Sequence, residues 1–124
     1  MNHDVLSDVL SKIKNGDAIG RNYVDVTKSK LVGTVLTVMN KNGFIGKIDD
    51  NESTYRVYLL GSVNVARSIR PRYAVSNDTY TKFKRRFLPA SGVGIIIVST
   101  SQGVVDHREA EGKKIGGRLL AFVY

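Results

Sequence analysis

The stretch Gly94–His107, "GIIIVSTSQGVVDH", contains an apolar run as strong as any in the chain, and that run ends abruptly in small polar residues. A short apolar run next to turn residues is typical of a buried strand, so Gly94–Val98 is predicted to be one. The "GVV" that follows the turn predicts another strand, and Asp106 with Glu109 forms a capping pair for a short helix. The hydroxyl residues 99–101 are then a plain turn, a nucleophile or a surface that meets a partner.

The first half of the chain predicts two helices, a strand and a hairpin. Residues 4–14 place apolar side chains at helical spacing, and Asn15-Gly16 is predicted to end that helix. Residues 21–26 predict a short strand, and the segment from Ser29, as N-cap, to Gly43 predicts a second helix. The runs "FIGKI" and "TYRVYLL" on either side of "DDNES" predict a β-hairpin.

The second half is richer in strands and in positive charge. Residues Val65–Val75 predict extended pieces, Asp78–Phe87 a short basic helix and Arg118–Tyr124 a C-terminal strand. The order of elements predicts an α+β fold of two small halves packed together. These are an N-terminal helix-strand-helix-hairpin half, 1–62, and a C-terminal β-rich half with short helices, 63–124.

The charge balance points to a polyanionic partner. Nineteen Lys+Arg against eleven Asp+Glu give a net charge of +8 and a pI near 9.9. The segment from Asn64 to Pro89 alone contains seven basic residues and one acid. Nucleic acid is the first candidate and an anionic membrane the second. No apolar run approaches the ~20 residues of a transmembrane helix, and the start lacks the order of a signal peptide, so a soluble cytoplasmic protein without a membrane partner is expected.

Catalytic and cofactor motifs are incomplete. The best catalytic set is Ser99 or Ser101 with His107 and Asp106, but adjacent Asp and His side chains point apart and the turn lacks G-x-S-x-G. The glycine motifs lack residues that a phosphate loop or a dinucleotide site requires. With no cysteine and two histidines, a transition metal lacks ligands. No catalysis, cofactor or metal is therefore expected, and a small hydrolase remains the alternative.

Two features favour binding to nucleic acid. Lys28 and Lys30 flank the start of the second helix, where the helix dipole disfavours cations, and a bound phosphate would account for them. Tyr73 follows Arg72 in a basic patch, which suits stacking on an unpaired base. A half-buried strand residue is an equally good interpretation of Tyr73.

The hydroxyl residues are a third feature. Ser99, Thr100 and Ser101 can donate and accept hydrogen bonds, and Gly103 lets a backbone come close. The wide minor groove of RNA displays 2′-hydroxyls and base edges that such short groups can meet. A plain turn remains the competing interpretation.

Several segments together resemble one ribosomal family. They are "DVLSDVLSKIKNG", "SKL", "NGFIGK", "RPRY", "LPASGVGIIIVSTSQGVVDHREA" and "IGGRLLAFVY". The chain resembles, nearly end to end, the universal eighth protein of the small ribosomal subunit, in its archaeal and eukaryotic branch. The resemblance implies a two-part α+β fold whose C-terminal part binds a helical segment in the central domain of small-subunit ribosomal RNA. It also implies a role in platform assembly and translation, with other small-subunit ribosomal proteins as neighbours. Some members of the family also repress their own messenger RNA, and whether this chain does so is left open.

The resemblance also implies which residues contact RNA. The family's main RNA-contacting loop falls on Ser99, Thr100, Ser101 and Gly103, and Tyr73 matches an aromatic residue implicated in the same contact. Further backbone contacts are carried over to Lys30 and to the N-terminal motif, represented by Asp4, Ser7, Lys12, Lys14 and Asn15. The charge pattern, and not the resemblance, adds the basic residues that are expected to meet phosphates, namely Arg72, Lys28, Lys84 and Arg85. The leading hypothesis is a non-catalytic ribosomal RNA-binding protein, and a general nucleic-acid compaction protein is the alternative that predicts little preference among nucleic acids.

Overall fold

The computed structural model describes residues 5–90 and 92–124. The chain divides into two compact units, Met1–Arg67 (unit 1) and Ser68–Tyr124 (unit 2). Over the described residues it contains four helices and two antiparallel sheets, which confirms the predicted α+β class. No helix in these residues is both long and apolar enough to cross a membrane.

Unit 1 contains two helices and a three-stranded sheet. Its elements are α1 (Val5–Ala18), β1 (Tyr23–Thr27), α2 (Lys30–Lys41), β2 (Ile45–Asp50) and β3 (Thr54–Leu59). The strand order is β1-β3-β2, and both pairs are antiparallel. Ser29 caps α2 as predicted, because its Oγ accepts a hydrogen bond from the Val32 amide at 3.2 Å. The apolar faces of both helices are buried, with Leu6, Val9, Leu10 and Ile13 from α1 and Val32, Val35, Leu36, Val38 and Met39 from α2.

The predicted end of the first helix at Asn15-Gly16 is wrong. Helix α1 continues to Ala18, and Gly16 is buried within it. A Cβ at Gly16 would lie 2.7 Å from Val24 Cγ1, closer than real Cβ atoms approach. The glycine therefore lets α1 pack closely on β1, and it does not cap the helix.

The strands of unit 2 differ in length, and two short helices accompany them. The remaining elements are β4 (Ala66–Ser68), β5 (Ala74–Val75), α3 (Tyr80–Phe87), β6 (Ile95–Thr100), β7 (Gly103–Asp106), α4 (His107–Gly112) and β8 (Gly117–Val123). Strand β4 spans the boundary between the units, and the sheet order is β4-β8-β6-β7, with β5 also paired to β8.

Strand β6 lies at the centre of the unit 2 core. Its residues Ile95–Val98 are all buried, as the apolar run predicted. Ile96 and Val98 belong to a cluster with side chains of α3, α4, β7 and β8, among them Tyr80, Phe83, Ala110, Val105 and Leu119. Burial of this kind contributes about 25 cal/mol for each Å² of apolar surface, so β6 is a rigid base for the residues at its end.

Candidate nucleic-acid interface

The hydroxyl residues lie at the end of a hairpin formed by β6 and β7. The expectation that the strand ends at Val98 is wrong by two residues, because Ser99 pairs with Val104 and Thr100 with Gly103. Only residues 101 and 102 form the turn. The Thr100 hydroxyl donates to the Gly103 carbonyl at 2.7 Å and accepts from the Gln102 amide at 3.1 Å, so it closes the turn internally.

Two of the three hydroxyl residues, Ser99 and Thr100, do not face the same side of the sheet. Side chains alternate along a strand, so Ser99 and Thr100 point to opposite faces of the sheet. Ser99 is half-buried and lies beside the exposed Arg118 of β8 in the cross-strand register. Ser101 is exposed at the turn. The sequence did not single out Arg118, although its position directly after the Gly-Gly pair, at the start of an apolar strand, was a usable signal.

Three glycines shape the surroundings of the hairpin. A Cβ at Gly117 would overlap the Ser99 carbonyl oxygen, and a Cβ at Gly116 would overlap that of Val75. These glycines therefore allow β8 to approach its neighbours closely. Gly103 has φ +108°, and apart from its two chain neighbours no described residue has an atom within 4 Å of the place where its Cβ would be. The hairpin end thus presents open backbone to an incoming molecule.

Tyr73 is half-buried just before β5. Its ring lies 5.7 Å from the Phe83 ring between centroids, in a series of aromatic rings. The Arg86 guanidinium lies 4.9 Å from the Tyr73 ring centroid and donates to its hydroxyl at 3.1 Å. Arg86 was not among the predicted site residues, yet it lies three positions after Phe83, a spacing that places both on one side of α3. Stacking of Tyr73 on a base stays a prediction.

The predicted cations of unit 2 differ in their surroundings. Lys84 Nζ lies 3.1 Å from Glu111 Oε1, so its charge is partly balanced. Arg85 is exposed and has no ion-pair partner in the described part of the chain. Arg72 is also exposed, and its carbonyl accepts a hydrogen bond from Arg118 at 3.4 Å. Unit 2 contains ten Lys+Arg and four Asp+Glu, a net charge of +6.

The lysines at the start of α2 have different roles. Lys28 forms an ion pair with Asp50 and donates to the Asn51 carbonyl at 3.1 Å. The hydrogen bond to Asp50 raises the pKa of Lys28. An ion pair within unit 1 thus accounts for a cation at this helix start without any bound phosphate. Lys30 is exposed on the first turn and has no such partner among the described residues.

The predicted N-terminal motif lies along α1, except for Asp4, which is outside the described residues. Lys12 Nζ donates to the carbonyl of Asp25 in β1 at 3.2 Å. Ser7 and Lys14 are half-buried and, seven residues apart, lie on one side of the helix. Asn15 is exposed.

The structure does not assemble the Ser-His-Asp set. His107 is only 4% exposed, and its Nδ1 accepts the Ile96 amide hydrogen bond at 3.0 Å. Burial lowers the pKa of His107. Asp106 caps α4 by accepting from the Glu109 amide at 2.9 Å. Ser99 lies three residues further along β6 than Ile96, roughly 10 Å away, so the histidine and the hydroxyls lie at different ends of the hairpin.

Comparison with known families shows which family this chain belongs to. The family model described as ribosomal protein S8 matches residues 4–124. The matched range includes all of unit 2, all of unit 1 from residue 4 onward, and every predicted RNA-contacting residue. The resemblance inferred from the motifs is therefore confirmed. The described residues also contain no group of three His, Cys, Asp or Glu side chains that would hold a metal ion. The chain belongs to the ribosomal protein S8 family, and it is a small-subunit ribosomal protein that binds ribosomal RNA.

Proposed function

We propose that unit 2 binds a helical segment in the central domain of small-subunit ribosomal RNA through the end of the β6–β7 hairpin. The observation that carries this proposal is the exposed turn at Ser101 next to the open backbone of Gly103, both held by the buried strand β6. Binding there supports assembly of the subunit platform.

The geometry of the hairpin end suits a minor groove. A wide and shallow groove admits a tight turn, and short side chains are long enough to reach its floor. The Ser101 hydroxyl donates and accepts, which matches the 2′-hydroxyls and base edges in that groove. Thr100 contributes indirectly, because its two hydrogen bonds fix the turn.

Charge around the hairpin positions the RNA. The net charge of +6 on unit 2 attracts phosphates, and Arg72 and Arg118 are exposed cations close to the hairpin end that are suited to phosphate contacts. Such contacts fix orientation without reading sequence, so specificity is assigned to the hairpin. Lys30 and the α1 residues provide further backbone contacts in this proposal. A messenger RNA that mimics the ribosomal helix would use the same surface.

Binding of the purified chain to two RNAs tests the proposal. One RNA contains the central-domain helix, and the other has the same composition in a scrambled helix. We expect tighter binding to the first at every salt concentration and a similar salt slope for both, because the phosphate contacts are shared. Equal affinity for the two RNAs would favour a general nucleic-acid compaction protein and contradict the proposal.

A further inference from the structure

A second concave site lies at the other end of β6. It is a cavity of about 520 Å³ lined by residues of α3 and α4 and, between α3 and β6, by Leu88, Pro89, Ala90, Gly92 and Gly94. Gly94, just before β6, belongs to its lining, whereas Thr100 ends the strand at the hairpin. Six residues of strand separate the two places, roughly 20 Å at about 3.3 Å per residue. The cavity is therefore distinct from the hairpin end.

The lining of this cavity is positively charged. Lys84 and Arg85 come from α3 and Arg108 from α4, and Glu111 is the one acid among the lining residues that the structure describes. Three cations and one acid leave a net charge of +2. Arg108 donates to the Gly94 carbonyl at 3.3 Å, which holds its guanidinium at the cavity. The charge favours an anionic occupant.

A buried histidine adds a directed donor. His107 lines the cavity although it is 4% exposed. Because Nδ1 accepts the Ile96 amide hydrogen bond, the proton of the neutral ring is on Nε2. Among the described residues, no fully buried side-chain nitrogen or oxygen lacks a hydrogen-bond partner. Because no described residue accepts from this N–H, it is open to the cavity, where it can donate to a ligand.

The rest of the lining is apolar, with Leu88 and Pro89 among its members. The volume lies within the range of about 300–1,000 Å³ that is usual for small-molecule sites. An apolar wall beside a cationic one fits a ligand that has an anionic group attached to a larger, weakly polar body.

We propose that this cavity binds a single nucleotide, whose phosphate contacts Arg85 and Arg108 and accepts a hydrogen bond from His107, while its base or sugar lies against Leu88 and Pro89. A phosphomonoester has a charge of about −1.5 to −2 at neutral pH, which complements the net charge of +2. The backbone of an intact duplex cannot enter a concave site of this kind, because its phosphates are part of a wide continuous surface. The inference goes beyond the proposed function, since neither the cavity nor its ligand requires the hairpin.

Nuclear magnetic resonance of the histidine rings tests the inference in the full chain. The chain has two histidines, so His107→Gln assigns the ring signals of His107 directly. Adenosine monophosphate is expected to shift these signals in a saturable way, and adenosine to do so at least about tenfold more weakly, because it lacks the charged group. No shift at up to about 10 mM nucleotide, or equal affinity for inorganic phosphate, would overturn the inference.

Matched variants locate the binding. Arg108→Ala should weaken adenosine monophosphate at least about tenfold, the scale of one charge-assisted hydrogen bond. Lys82→Ala removes an exposed cation of α3 outside the cavity and should leave the affinity unchanged. Both positions are exposed, so thermal melting should show intact folds. If both variants lowered the affinity for adenosine monophosphate equally, the nucleotide would be held by nonspecific charge attraction, and the proposal would be contradicted.

Adding the central-domain RNA distinguishes two sources of the nucleotide. If the RNA displaces adenosine monophosphate, an unstacked nucleotide of the RNA occupies the cavity. If the mononucleotide stays bound, the cavity takes a free nucleotide. Absence of nucleotide binding together with selective RNA binding would reject the cavity proposal and leave the proposed function standing.

Discussion

The two units of this chain use their charged side chains differently. Unit 1 has nine Lys+Arg and seven Asp+Glu, a net charge of +2, whereas unit 2 has ten and four, a net charge of +6. In unit 1, Arg56 and Asp25 are direct cross-strand partners in the sheet and form an ion pair at 3.0 Å. The Arg56 hydrogen bond lowers the pKa of the Asp25 carboxyl.

This difference in net charge indicates that the charged side chains of unit 1 mainly pair with each other, whereas those of unit 2 are available to a partner. In unit 1, charged side chains bridge neighbouring strands and hold loops, so much of the polarity serves the fold. In unit 2 there are too few acids to balance the cations, although its apolar strand β6 is buried in the same way as the apolar faces of α1 and α2. The surplus of positive charge then remains for a polyanion.

The largest loss of stability is expected at a position of the unit 2 sheet that is too closely packed to admit a larger side chain. Gly117→Val would place side-chain atoms against the Ser99 backbone, which is paired on both sides and cannot move aside. We expect a loss of about 3 kcal/mol in the free energy of unfolding, the upper part of the range for overpacking. Urea denaturation followed by circular dichroism measures this loss.

A glycine of unit 1 is the matched control. A Cβ at Gly33 would lie 2.7 Å from the Tyr55 hydroxyl, which is the far end of a movable side chain. The better helix propensity of alanine, about 1 kcal/mol, should offset that shift in Gly33→Ala. A loss in Gly33→Ala as large as that in Gly117→Val would contradict the comparison of the two sites.

A smaller effect is expected from a charged anchor in unit 1. The Asp17 carboxylate accepts hydrogen bonds from the Gly61 and Val63 amides, both at 2.8 Å. Asp17→Ala leaves two amides without this acceptor, and we expect a loss of about 2 kcal/mol. Glu52→Gln, at the exposed turn between β2 and β3, is the control and should change stability by less than about 0.5 kcal/mol. Equal denaturation midpoints for the two variants would show that the anchor contributes nothing.

Features that depend on residues close together in the sequence could be predicted, and features that depend on residues far apart in the sequence could not. Helix α2 and its Ser29 cap were predictable, because spacing and capping depend on neighbouring residues. Gly16 was misinterpreted because its role is set by Val24 across the chain, and glycine after asparagine is also a common helix end. The pairing of Lys28 with Asp50, 22 residues apart, likewise requires the folded sheet.

The candidate site shows the same limit. The motif predicted that the hydroxyl residues follow a buried strand, but alternation of side chains about that strand separates Ser99 from Thr100. No sequence pattern predicted the cavity at the other end of β6. Its lining comes from α3, from α4 and from residues just before β6, and these meet only in the folded unit.

A pH effect on stability is expected from the buried histidine of unit 2. Burial lowers the pKa of His107 below its ordinary value near 6.5, and the neighbouring Glu111 opposes this while Lys84 and Arg108 add to it. Between the pKa of His107 in the unfolded chain and its lower pKa in the folded chain, the unfolded chain binds more protons than the folded chain. The contribution of His107 to the free energy of unfolding is therefore fully present above about pH 6.5 and falls as the pH is lowered. One group limits the slope to about 1.4 kcal/mol per pH unit.

Denaturation between about pH 7.5 and 5.5 measures this slope in the parent chain and in His107→Gln. The slope should be smaller in the variant, whatever its absolute stability. An unchanged slope would assign the pH dependence to other groups.

The most direct test of the central claim compares Ser101→Ala with Arg72→Ala in binding to the central-domain RNA and to the scrambled helix, over a series of salt concentrations. We predict that Ser101→Ala loses about 1–3 kcal/mol on the central-domain RNA alone, with an unchanged salt slope. Arg72→Ala should weaken binding to both RNAs and lower the slope by about one. If Ser101→Ala weakened both RNAs equally, the hairpin would not be the part of the protein that recognises the RNA.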